Sequence, residues 1–122
     1  MRDFKKYDVW IDSMQIVKAV YHFCATLPKE EKYGLISQMT RAAISIPTNI
    51  AEGTSRNSDI EFKRFLEIAL GSSFELETQL IICQDLGLVE EPETKPIVKE
   101  LNEVQKKLNK LILKIKQDNI NK

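Results

Sequence analysis

The sequence predicts an all-α fold, an antiparallel up-and-down four-helix bundle with its second helix kinked at Pro47. Three observations predict it. Four segments carry apolar residues at alternating three- and four-residue spacing, one face of a helix each. No segment alternates at period two for long enough to form a strand. Only four glycines and four prolines occur in 122 residues, too few for the many turns of an all-β domain. With 43% hydrophobic residues the chain can bury one core, so residues 1–122 are expected to form a single domain. Its tail is expected to fray over residues 117–122.

Helix one is expected from Asp8 to Thr26. Trp10, Met14, Val17, Tyr21 and Cys24 define its apolar face, Asp8 is placed to cap its start, and Pro28 helps end it. Helix two begins between Tyr33 and Leu35 and carries Ile36, Met39, Ala43, Ile46 and Ile50. Gly53 suits the left-handed residue that closes a helix. Pro47 removes one backbone hydrogen bond and crowds the Ala43 carbonyl, which bends a helix without having to end it.

Helix three has the clearest start. Ser58 and Glu61 form a capping box, and Phe62, Leu66, Ala69, Ser73, Leu76, Leu80 and Cys83 follow on one face until Gly87. Helix four begins between Pro92 and Pro96 and repeats the pattern through Ile97, Leu101, Val104, Leu108, Leu111 and Ile115. The connections are short, so successive helices are antiparallel neighbours.

Folding the second and third helices about a turn near Ser55 to Asn57 sets Ala42 and Ala43 against Gly71 and Ser72. A glycine inside a helix costs about 1 kcal/mol relative to alanine. Close approach of two backbones at small side chains would offset that cost. The same register predicts an ion pair between Arg41 and Glu75, and places Glu52 near Lys63 or Arg64. Arg41, Ser45, Asn49, Glu52 and Arg56 thus form a polar stripe beside the contact. The stripe reads as cross-helix pairing and capping, or as a polar patch facing solvent or another subunit.

Little in the chain suggests chemistry. His22 is the only histidine, which leaves a histidine-containing di-metal bundle without ligands. No cysteine pair has zinc spacing, no glycine-rich phosphate loop is present, and no base stands near a serine. Glu75 and Glu77 point to different helix faces. The expectation is no catalytic residues, no metal and no cofactor. Cys24 and Cys83 fall on apolar faces and read as buried free thiols of a reducing cytoplasm. The opening MRDFKKYDVW lacks the apolar stretch of a secretory signal, and no run approaches a membrane span, so a cytoplasmic protein without membrane contact is expected.

Eighteen basic and eighteen acidic residues balance, which argues against an indiscriminate polyanion binder. Helix four nonetheless begins acidic and ends with Lys106, Lys107, Lys110 and Lys114. That order complements the helix dipole. It also supplies candidate phosphate contacts of a non-specific, salt-sensitive kind.

Two stretches carry a resemblance. RAAISIPTNIAEG (41–53) and RFLEIALGSSFELETQL (64–80) resemble the four-helix bundle proteins found as reading frames inside intervening sequences of bacterial 23S ribosomal RNA genes, also labelled S23 ribosomal proteins. FKKYDVW, LPKEEKYGL and LGLV extend the likeness over nearly the whole chain. The resemblance implies a homopentameric up-and-down bundle. It also implies kinship with accessory proteins of diversity-generating retroelements, which bind nucleic acid. By this match Arg41, Ser45, Pro47, Asn49, Glu52, Gly53 and Arg56, with Phe65, Gly71, Ser72, Glu75 and Glu77, are shared positions. The expected function is a non-catalytic oligomeric accessory protein associated with RNA or DNA. The alternative is an oligomeric protein–protein adaptor that binds no nucleic acid.

Overall fold

The structure is a computed structural model and describes residues 2–120. Four α-helices account for most of it: α1 (Asp8–Cys24), α2 (Ser37–Thr54), α3 (Asp59–Asp85) and α4 (Glu91–Ile120). Among the described residues there is no strand. Each helix packs against its sequence neighbour, and α4 closes the arrangement against α1. The α2–α3 contact is the most extensive, as expected of a tight helical hairpin.

The helix ends show how local chemistry sets the layout. A short 3-10 turn, Phe4–Lys6, precedes α1 and is capped by Asp3, whose carboxylate accepts from the Lys5 N–H. Asp8 is therefore the first helical residue and not the cap; Tyr7 holds that position without a side-chain bond. At α3 the Ser58 hydroxyl accepts from the Glu61 N–H at 3.1 Å. Gly87 ends that helix with φ +73°. The Leu88 N–H reaches the Cys83 carbonyl at 3.0 Å and the Gly87 N–H reaches that of Gln84 at 2.9 Å, the paired bonds of a Schellman cap. Both Pro92 and Pro96 lie within the first two turns of α4. The helix continues through Ile120, so residues 117–120 are helical, and the remainder of the expected frayed tail, residues 121–122, lies outside the described residues.

Between α1 and α2 the chain makes a short 3-10 turn, Lys29–Glu31, and a wide helical turn, Lys32–Ile36. Gly34 departs from helical geometry there with φ −108° and ψ −106°. Helix α2 starts at Ser37, two to four residues later than the apolar pattern suggested. It is not broken at Pro47. The Asn49 side-chain amide donates to the Ser45 carbonyl at 2.8 Å, so the Ala43 carbonyl, deprived of its usual donor by Pro47, is not the group it satisfies.

The core matches the expected faces on three helices. Met39, Ala43, Ile46 and Ile50 of α2 are fully buried, as are Leu66, Ala69, Leu76, Leu80 and Cys83 of α3 and Leu101, Val104 and Leu108 of α4. On α4, Ile112 takes the inward place beside a half-buried Leu111. Helix α1 is rotated from its expected face. Val9, Ile16, Val20 and Phe23 point inward, with Cys24, while Tyr21 is 50% exposed. This helix is apolar over a broad arc, and spacing alone does not choose between two adjacent stripes. Ser13 is buried on the inward stripe because its hydroxyl donates to the Trp10 carbonyl at 2.8 Å.

Candidate functional site

The seam between α2 and α3 carries most of the polar residues singled out in the sequence. Ser45 Oγ and Ser72 Oγ are 2.8 Å apart, and the Asn49 amide donates to Ser45 Oγ at 2.9 Å. This three-residue network stitches the two helices. Arg41 and Glu75 line one shallow cavity of about 320 Å³ with Gln38, Ala42 and Ser45. Among the described residues, however, no ion pair joins Arg41 to Glu75, nor Glu52 to Lys63 or Arg64. Both Arg41 and Glu75 are exposed, and ordering two long, hydrated side chains there would gain little.

The expected close contact at Gly71 is overturned. Gly71 is exposed, and a Cβ added there would meet nothing within 4 Å. Ala42 and Ala43 are buried in the core. The tight approach lies nearer the hairpin turn, at Gly53. A Cβ on Gly53 would stand 2.9 Å from Phe65 Cβ, 3.0 Å from Phe62 Cδ1 and 3.3 Å from the Phe62 carbonyl oxygen. Gly53 is thus neither left-handed nor terminal; it lies in α2 and admits two phenylalanines. The pairing of Ser45 with Ser72 is shifted by about three residues, just under one helical turn, from the expected register.

Arg56 sits beyond this contact with its guanidinium carbon 4.5 Å from the centre of the Phe65 ring. Arg2 crosses from the chain start to the same corner. It donates to the Arg56 carbonyl at 2.7 Å and to Asp59 at 2.5 Å, and its guanidinium lies 4.6 Å from the centre of the Phe62 ring. Tyr7 packs edge-on against the other side of this cluster, with ring centres of Tyr7 and Phe62 5.9 Å apart.

The lysines of α4 divide by environment. Lys106 makes an exposed pair with Glu103 at 3.5 Å. Lys107 donates to Asp12 of α1 at 2.5 Å, and this bond holds the ammonium above its ordinary pKa despite some opposing burial. Lys107, Lys110 and Lys114 together line a groove of about 640 Å³, whose floor includes Tyr7, Val9 and Leu111.

Several positions escaped the sequence reading. Gln105 of α4 donates to Glu77 of α3 at 2.9 Å, tying two helices together. Gln79, only 5% exposed, has a side-chain carbonyl oxygen with no hydrogen-bond partner. Neither glutamine could be distinguished from a surface residue by spacing, because each sits one place off an apolar stripe. The Arg2–Asp59 and Lys107–Asp12 pairs join residues far apart in sequence and required the helix register. His22 is exposed on α1. Among the described residues, no group of three or more His, Cys, Asp and Glu is arranged to hold a metal ion. No helix among them is long and apolar enough to cross a membrane.

The fold and this seam define an antiparallel all-α bundle held by an apolar core, a small serine–asparagine stitch and stacked arginines. Its sequence matches the 23S rRNA-intervening sequence protein family over residues 5–110, and the chain belongs to that family. It is similar to a crystal structure of a protein of unknown function from the S23 ribosomal protein family of Bacteroides thetaiotaomicron VPI-5482. The identity is 25% and the TM-score 0.79, covering 85% of this chain and 94% of that one. No curated protein matches the chain.

Proposed function

We propose that this chain is a non-catalytic, homo-oligomeric accessory protein that contacts RNA or DNA through the lysine-rich end of α4. The observation that carries this reading is the convergence of Lys107, Lys110 and Lys114 on one groove, although the whole chain has no net charge. A ribosomal-RNA partner is in keeping with the description of the 23S rRNA-intervening sequence family, and five subunits is the number the resemblance implies. Assembly is supported by the outer face of α3, where Ile68, Phe74, Ile81 and Ile82 are all more than a third exposed. The two free thiols, Cys24 and Cys83, suit a cytoplasmic site of action.

Binding to ribosomal RNA fragments, measured by fluorescence anisotropy, is expected at low salt and should weaken as salt rises. The double substitution Lys110→Gln with Lys114→Gln should lower affinity. Absence of binding at low salt, or affinity that ignores salt, would overturn the nucleic-acid reading. Sedimentation velocity at micromolar concentration tests the ring, and a strictly monomeric species would remove it.

A second reading, an oligomeric adaptor without nucleic acid, is favoured by a different groove. Trp10, Met14 and Val17 of α1 face Ile44, Pro47 and Ala51 of α2 across an apolar depression of about 470 Å³. Salt-independent capture of a protein partner, with no RNA affinity, would select this reading.

A further inference from the structure

The turn joining α2 to α3 overhangs a cavity of about 510 Å³ lined by Arg2, Thr54, Ser55, Arg56 and Asn57. Its construction is specific. Gly53 lets Phe62 and Phe65 close in on α2, and each ring carries one guanidinium, Arg2 on Phe62 and Arg56 on Phe65. A guanidinium stacked on a ring keeps its N–H groups in the ring-parallel plane, available to a further acceptor. Arg2 spends donors on the Arg56 carbonyl and on Asp59, which fixes its position and offsets its charge. Among the described residues no carboxylate pairs with Arg56, and its guanidinium makes no hydrogen bond. The Asn57 side chain likewise bonds to no described residue. The hydroxyls of Thr54 and Ser55 donate to the carbonyls of Ala51 and Glu52, both at 2.7 Å. The free donors of the cavity are therefore the Arg56 fork, the remaining Arg2 N–H groups and the Asn57 amide. That set matches a tetrahedral oxyanion, for which a planar fork offers two parallel bonds.

We propose that this cavity binds a phosphate group, with Arg56 as the principal donor and Arg2 and Asn57 assisting. The phosphate is either free, as inorganic phosphate or a phosphomonoester, or a diester of a nucleic-acid backbone. The second source rests on the nucleic-acid reading above; the first does not. The two basic regions adjoin through Tyr7, which lines the lysine groove and packs against the Phe62 ring beneath Arg2. A strand lying along the lysines would thus meet the arginine cavity at the same end of the bundle.

The experiment is a titration of the full chain, 15N-labelled, at low ionic strength with inorganic phosphate and, separately, with a short single-stranded oligouridine lacking a terminal phosphate. Chloride at matched ionic strength is the control. Saturable shifts of the Asn57 amide and the Arg56 side-chain resonance with either ligand support the site. Arg56→Gln should then weaken that ligand by about tenfold or more, whereas Lys18→Gln, exposed on α1 and outside both basic regions, should leave phosphate affinity unchanged. Arg2→Gln, which spares Arg56, is the second variant, and circular dichroism checks that both fold. Shifts with phosphate alone assign the free source and count separately against the nucleic-acid reading. Shifts with oligouridine assign the backbone source. Silence of these resonances with both ligands overturns the cavity, even if oligouridine still perturbs Lys110 and Lys114 and so leaves the lysine reading intact.

Discussion

Gly53 and Gly71 stand on the two arms of one helical hairpin and meet opposite surroundings. Gly53 lies where α2 and α3 approach closely, and a methyl group there would collide with Phe65 Cβ and the Phe62 ring. Gly71 lies on the outer side of α3, with open space where its side chain would be. A glycine inside a helix carries the same intrinsic penalty in both places. Only at Gly53 does the chain recover it, through close packing of a buried Phe62 and a half-buried Phe65. The residue type signals that a backbone may be approached; the partner that does the approaching has to be identified separately.

Substitution at the two glycines is the strongest way to break this contrast. Gly53→Ala is expected to destabilise by about 2–3 kcal/mol in urea unfolding, since the nearest atom is the Phe65 Cβ, which cannot swing aside, with the Phe62 ring and the Phe62 carbonyl oxygen close behind. A neutral result would mean that α2 and α3 separate readily. The far end of the same seam comes next. There the Cys83 thiol donates to the Met39 thioether at 3.8 Å, and burial pushes the Cys83 thiol above its ordinary pKa, with the charge of Glu31 adding to the shift. Cys24 is pushed up to about 11, by burial first and by Cys83 second. A raised thiol pKa favours the neutral form in the folded state. Its stabilising effect is complete below the unfolded value of 9.0 and is lost as pH climbs through about 11. Thermal unfolding monitored across that window should show a loss of about 2 kcal/mol that Cys24→Ala reduces.

Gly71→Ala should have a smaller and opposite effect, stabilising by about 0.5–1 kcal/mol through lower unfolded-state entropy. A loss of stability instead would mark Gly71 as a point where a second copy comes close. The smallest effect is expected at Arg41. With no ion pair to lose, Arg41→Ala should change the unfolding free energy by less than about 0.5 kcal/mol. A larger loss would mean that Glu75 engages Arg41 in solution.

The contrast also explains what could be read ahead of the structure. Regular apolar spacing located the buried faces of α2, α3 and α4, because a single stripe on each leaves one choice of orientation. Helix α1 is apolar over a broader arc, and the stripe with Trp10 and Val17 proved half-buried, with Tyr21 exposed, while Ile16 and Val20 point inward. The caps at Ser58 and Gly87 were legible because each depends on a few adjacent residues. The register of α2 on α3 was not. Small residues at Ala42, Ala43, Gly71 and Ser72 suggested one alignment, but the bulk of Phe62 and Phe65 against Gly53 imposes another. Of the polar stripe, Ser45 and Asn49 do join in a network with Ser72, while Arg41 and Glu75 share only the rim of a cavity. The stacked arginines were least legible, since Arg2 reaches its ring and its carboxylate across more than fifty residues of intervening chain.

The corner around Gly34 has a consequence for how the molecule comes apart. Residues 28–38 include no buried side chain, Tyr33 is 88% exposed, and the backbone leaves helical geometry at Gly34. Amide protons there should exchange with solvent long before those of α3, and trypsin should nick first at Lys29 or Lys32. Such a cut would sever α1 from the tightly joined α2–α3 pair in sequence while core contacts held the pieces together, which makes this corner the natural place to open a new pair of chain ends or to insert a tag.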